Sequence, residues 1–259
     1  MQRFQYCISM TLMISLMISS VGYAGGVEPI PSLNNILHSS IADKDNSPTT
    51  QEMEYSIKKF YYQIQYQDQK LQILNEVKGH FEKSISKAEE KYDEGEEDIS
   101  QSDITKLKLG LAGTLNDIYG VEADLQISRL SLFESLKGEY ESEAVLLEPN
   151  ISPVEFDFVD YQIWSAQGSE LSGNVFLKKI FLKVVEAKKK MQLARKNRKI
   201  TRALLVSEVA NYDFGIGDSA DLFQALIIYT RVLSGYYDSV YKFNLSVARL
   251  NRDKHIWMY

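Results

Sequence analysis

Nine positions near the C-terminus constrain this chain more than any others. Leu222, Leu226, Tyr229, Leu233, Tyr236, Val240, Phe243, Val247 and Leu250 step alternately by four and three residues with no polar interruption. That spacing is the seam of a coiled coil, a stripe that only a neighbouring helix can cover. The stretch just before it supplies the neighbour. In Asn211–Ala225, Gly215 and Gly217 can take the positive φ that ends a helix. Asp218 or Ser219 can then accept from the first backbone N–H groups of the next one. The sequence therefore predicts a long helical hairpin with its tip at 213–220.

Three further helices follow from the same reasoning. A first runs from Glu52 to Tyr92, with a seam through Ile57, Phe60, Ile64, Leu71, Leu74, Phe81, Ile85 and Ala88 that only Gln67 and Lys78 interrupt with polar side chains. Gly95 breaks it and Ser100 or Ser102 restarts the chain as a second helix, Asp103–Glu139, with Ile104, Leu107, Leu111, Ile118, Val121, Leu125 and Leu132 on its seam. Gly110, Gly113 and Gly120 each weaken that helix by about 1 kcal/mol relative to Ala, and suggest close approach of a neighbour. A third helix occupies 173–212. The expected organisation is 1–24 signal peptide, 25–51 flexible leader with a short helix around Leu33–His38, and 52–142 first hairpin with its tip near 93–102. Then come 143–172 as linker, 173–252 as second hairpin and 253–259 as a fraying tail. The fold class is all-α: two long antiparallel hairpins in an elongated four-helix arrangement. The linker could hold one short strand or an extended crossing segment around Val154–Phe158.

The hairpins repeat each other. Tyr92-Asp-Glu-Gly95 in the first returns as Tyr212-Asp-Phe-Gly215 in the second, and Asp103-Ile104 returns as Asp221-Leu222. A pattern that recurs at matching places in two hairpins marks a duplicated structural unit.

The first residues carry an address. Arg3, an apolar run from Ile8 to Val21 and small residues through Ala24 read as a secretory signal. The single cysteine, Cys7, lies inside it, so the mature chain would hold no disulfide, thiolate nucleophile or cysteine-ligated metal. Without residues 1–24 the chain keeps 28 basic against 35 acidic residues, a net charge of −7, which disfavours nucleic acid.

The residues around the second tip resemble the TolC-like outer-membrane efflux family. The likeness is carried by Tyr212, Gly215, Ser219, Asp221, Leu222 and Ala225, then by Tyr237, Asn244, Ala248 and Leu250 within a Tyr-x-x-Asn-x-x-x-x-x-Leu ending. The first repeat follows at Tyr92, Gly95, Ser102, Asp103, Leu136 and Gly138. The resemblance implies a trimeric tunnel of long helices whose tips dock on a periplasmic adaptor, working with an inner-membrane pump in a Gram-negative envelope. The chain departs from the family in lacking barrel strands, since only Val154–Ile163 alternates at all. It reads as a shortened relative that keeps the tip-proximal half, with a separate outer-membrane component possible. The alternative is a soluble periplasmic coiled-coil adaptor or chaperone-like binding protein with no conduit.

No chemistry-bearing constellation competes with this reading. His38, His80 and His255 stand far apart, and Gly215-Ile-Gly217 follows a helix where a dinucleotide loop would follow a strand. No enzyme activity, cofactor or metal is expected. The docking residues are Tyr92, Gly95 and Asp103 in the first tip, with Tyr212, Gly215, Gly217, Asp218, Asp221 and Gln224 in the second. Asp213, Asp218 and Asp221 serve as helix caps, or in symmetric copies as an acidic ring in which the resemblance places Asp221 best; Gln224 falls where the resemblance implies a second acid, which weakens such a ring. Finally, eleven basic residues against one acid in Lys178–Arg202, and eight acids against Lys83, Lys87 and Lys91 in Glu82–Asp98, predict pairing between neighbouring hairpins, within or between subunits, weakened by salt.

Overall fold

The computed structural model describes residues 28–41, 47–95, 99–166, 168 and 171–258. The expected signal peptide, its cleavage site and Cys7 lie outside them. The chain is all-α, with helices α1 (Leu33–Ile41), α2 (Pro48–Asp93), α3 (Gln101–Ser135), α4 (Tyr161–Ser165), α5 (Val175–Asp213) and α6 (Ser219–Met258). There is no strand among the described residues. One parallel bridge, Ile30 to Leu146, ties the leader to the linker.

The helix ends obey local chemistry. Ser47 caps α2 through a bond from the Thr50 N–H, and Pro48 takes the first helical position, where no N–H is needed. Ser100 and Asp103 bond each other's backbone N–H in a capping box at the start of α3. Asn174 accepts from the Leu177 N–H at 3.1 Å to open α5.

Contacts along the helices fix their directions. Glu89 meets Lys108 at 2.7 Å and Asp68 meets Arg129 at 4.0 Å, so α3 descends as α2 climbs. Arg198 stacks on Tyr236 and Phe176 on Trp257, which sets α5 and α6 antiparallel in the same way. Tyr66 stacks on Tyr241, while Tyr229 donates to Glu76 at 2.8 Å, binding α2 against α6 along the middle. The four helices thus form a row, α3–α2–α6–α5, with the hairpins joined through α2 and α6. α2, with 46 residues, is about 70 Å long at 1.5 Å per residue.

All nine seam residues of α6 are buried. On α2 the burial is wider than one seam: Tyr61, Tyr62, Gln65 and Gln69 are buried beside Ile57, Ile64 and Gln67, because α2 has a neighbour on two sides. Of the three glycines in α3, Gly110 makes the close approach; a Cβ there would come within 2.7 Å of Phe81 and 2.8 Å of Phe223. Gly113 and Gly120 face open space.

Opposite the tips, the row is gathered into a root. The linker crosses it as an extended segment, held by buried amides. Asn244 accepts from the Val154 N–H at 2.9 Å and donates to the Ser152 carbonyl at 2.8 Å. Gln65 donates to Glu148 and Asn150 carbonyls, and Gln69 to the Asn150 side chain. Phe156, Tyr161, Trp164 and Phe181 stack together beneath. Two expectations change here. The described part of the leader is packed, with Ile30 and Ile36 buried in the root core. The described part of the tail does not fray: α6 continues to Met258, with Arg252 bridged to Glu52 and Asp253.

Candidate docking tips

Both hairpins turn at the same end of the row. α5 runs parallel to α2, and its last residue, Asp213, reaches Lys83 at 2.7 Å and Lys87 at 3.7 Å. α2 continues past these lysines to Asp93. At 1.5 Å per residue the first tip therefore stands about 12 Å beyond the second.

The second tip is a helix ending closed by backbone bonds. Gly215 takes φ 72°, its N–H reaches the Tyr212 carbonyl at 3.2 Å, and the Ile216 N–H reaches Asn211 at 2.9 Å. These two bonds form a Schellman motif, which satisfies carbonyls the helix leaves over. Gly217 is needed for space: a Cβ there would lie 2.9 Å from Asn211 Cβ. Asp218 opens α6, its carboxylate accepting from the Asp221 N–H at 2.8 Å. Phe214 and Ile216, both 80% exposed, form the crest.

The first tip repeats this in outline. Gly95 takes φ 81° and its N–H bonds Tyr92 O at 3.1 Å. The cap at Ser100 and Asp103 replaces the cap at Asp218. The Ser100 hydroxyl and Lys106 hold the Asp103 carboxyl below the usual carboxylate range.

The two tyrosines differ. Tyr212 is 5% exposed, donates its hydroxyl to the Ser84 carbonyl at 3.2 Å, and lies under Lys87, 5.6 Å from its ring. Tyr92 is 45% exposed. Among the tip acids, Asp213 is engaged within the chain and Asp218 is a cap, which leaves Asp221, with Gln224, on the exposed side of the first turns of α6. Lys83 holds the Asp213 carboxyl below its usual range against a smaller opposing effect of burial.

The expected pairing of the two charge runs does not form within the chain among the described residues. The basic run, Lys178–Arg202, stops well short of the tip end of α5 at Asp213, whereas the acidic run lies beside the tip. Glu186, the one acid in the basic run, is held down to about 2 by Lys190 and Lys183. Lys188 bonds the Phe156 carbonyl. The tip contact is instead made by Lys83 and Lys87, the exceptions within the acidic run; Lys87 also donates to the Asp213 carbonyl at 2.6 Å. Two lysines four residues apart on one helical face were the signal that reading the run by its net charge concealed.

Among the described residues no group of three or more His, Cys, Asp or Glu is placed to hold a metal ion. No described helix is long and apolar enough to cross a membrane.

No known family model matches this chain, and no curated protein was found to be related to it in sequence. A solved structure described as "Structural insights of the outer-membrane channel OprN" shares its fold, with a TM-score of 0.59 at 11% identity, over 88% of this chain and 71% of that one.

Proposed function

We propose that this chain is a tunnel or scaffold component of a TolC-like export assembly on the periplasmic side of a Gram-negative outer membrane. It works by assembling with copies of itself, a trimer by analogy with the family, and by docking its tips end-on against the hairpin of a periplasmic adaptor that serves an inner-membrane pump. The observation that carries this reading is the placement of both tips at one end of the row, the second of them crested by Phe214 and Ile216. Exposed apolar side chains at a convex turn gain by burial against a partner. The fold likeness to an outer-membrane channel supports the same reading. A separate outer-membrane component would supply the barrel.

Sizing of the protein by light scattering, with fractionation of the envelope, tests this. A multimer recovered with the outer membrane is expected. A strict monomer, with or without membranes, would overturn the tunnel reading in favour of a soluble coiled-coil adaptor.

A further inference from the structure

Near the root, α5 and α6 each turn one mixed face toward the notch between them. On α5, Phe176, Lys179, Ile180 and Lys183 are spaced by three, one and three residues, which puts them on one side of the helix. On α6, Lys242, Leu245, Ser246 and Arg249 repeat that spacing. The helices are antiparallel neighbours, so the two faces meet in an open groove, with Tyr55 of α2 as its far wall. Its volume is about 620 Å³, within the range of small-molecule sites.

The lining divides by chemistry. Ile180 is buried and Leu245 half-buried, while Phe176 and Leu182 stay 44% and 55% exposed, so apolar surface is left facing water. The Ser246 hydroxyl donates to the Phe243 carbonyl at 2.7 Å, inside its own helix, and brings no unpaired polar group to the floor. Around this floor stand Lys179, Lys183, Lys242 and Arg249, and no acid lines it. That is a local excess of cations in a chain of net charge −6. Lys183 and Lys242 do meet Glu186 and Asp238 about one turn away, at 2.9 and 2.7 Å. Exposed pairs of this kind are weak, and their cations can turn to another anion. Arg249 meets Asp253 at 3.6 Å. Lys179 has no acidic partner among the described residues.

We infer that this groove binds one anionic amphiphile, a carboxylate or phosphate head on an aliphatic chain. The chain lies along Ile180, Leu182 and Leu245, and the head is held by the lysines and Arg249. Other ligand classes use only part of the lining. A small inorganic anion would leave the apolar floor wet, a neutral hydrocarbon would gain nothing from four cations, and a cationic amphiphile would be repelled by them. The groove lies whole within one chain, so the inference stands apart from the assembly reading and holds for a monomer as well. The same chemistry is offered by a long-chain carboxylate in solution and by an anionic phospholipid in a membrane surface.

Titration calorimetry of the full chain with dodecanoate, kept below its micelle concentration, tests this. One dodecanoate per chain is expected. Decanoate should bind about tenfold more weakly, since two buried methylenes are lost, and dodecyltrimethylammonium at least tenfold more weakly. Lys179→Gln and Lys242→Gln together should weaken dodecanoate binding at least tenfold, and Leu182→Ser about threefold. Circular dichroism should show unchanged helix content in these variants, since all three positions are exposed. Equal binding of the anionic and cationic amphiphiles would mean only a greasy surface and would overturn the inference. So would full affinity in the double lysine variant, acetate binding as tightly as dodecanoate, or no binding at all. Vesicles separate the two sources. Flotation with phosphatidylglycerol vesicles but not phosphatidylcholine vesicles, lost in the double variant, would assign the site to a membrane lipid. Dodecanoate binding without such flotation would assign it to a free anion.

Discussion

Tyr92 and Tyr212 occupy the same place in their helices, each three residues before the glycine that ends the turn, yet one faces solvent and the other is buried. The local sequence is nearly the same; the neighbourhood is not. The second tip stops beside the shaft of α2, so Tyr212 has Ser84 and Lys87 to lie against. The first tip runs on past the end of α5, and Tyr92 there stays 45% exposed. A duplicated motif specifies how the chain turns. The packing of the two hairpins decides what each turn can touch.

The comparison can be broken most strongly at those tyrosines. Tyr212→Ala should cost about 3 kcal/mol in urea unfolding, the range for removing a buried aromatic ring, whereas Tyr92→Ala should stay within about 0.5 kcal/mol. Equal losses would mean that the tips are equivalent in solution. The glycines should behave alike, because both take positive φ. Gly95→Ala and Gly215→Ala should each lower stability by about 1–2 kcal/mol in the same titration, since a Cβ is disfavoured in the left-handed region whatever surrounds it. The caps come next: Ser100→Ala and Asp218→Ala should each cost about 1 kcal/mol, measured as loss of the urea midpoint.

The smallest effect is the contact joining the tip of one hairpin to the shaft of the other. Lys83→Met should cost about 0.5 kcal/mol, as the Asp213 side chain is partly exposed and screened. Its pH dependence is diagnostic. The folded Asp213 has a lowered pKa, so its contribution is present above the unfolded carboxylate value of about 4 and is lost as pH falls through the lower folded value. The acid limb of a stability–pH curve should be shallower in Lys83→Met than in the parent. An identical limb in both would remove Lys83 from the account.

Much of this architecture was legible from residues alone. The α6 seam, the α3 seam and both tips are local patterns, in which spacing along the chain decides which side chains share a face. The second buried face of α2 was not legible, because a helix with two neighbours buries residues such as Tyr61 and Gln65 that no single heptad register includes. Nor were the amide clamps. Asn244, Gln65 and Gln69 bond backbone and side chains some 80 to 90 residues away, and nothing beside them in sequence announces the partner. The offset between the tips is equally nonlocal, set by how α2 slides on α6. The net charges of the two runs were a poor guide for another reason: the basic run ends at Arg202, well short of the tip at Asp213, whereas the acidic run begins at Glu82 and fills the tip end of α2, and opposite signs do not pair when they stand at different heights.

That offset has a mechanical consequence. An end with two levels is a stair, so a flat counterpart would touch the upper tread and miss the lower. A counterpart that seats on both must carry the complementary step. In the proposed assembly, with copies arranged round an axis, long and short teeth would alternate along the rim as on a crown gear. Such a rim indexes whatever meshes with it: the angle between the two bodies is fixed to a few settings, and twisting one against the other must first lift the teeth apart.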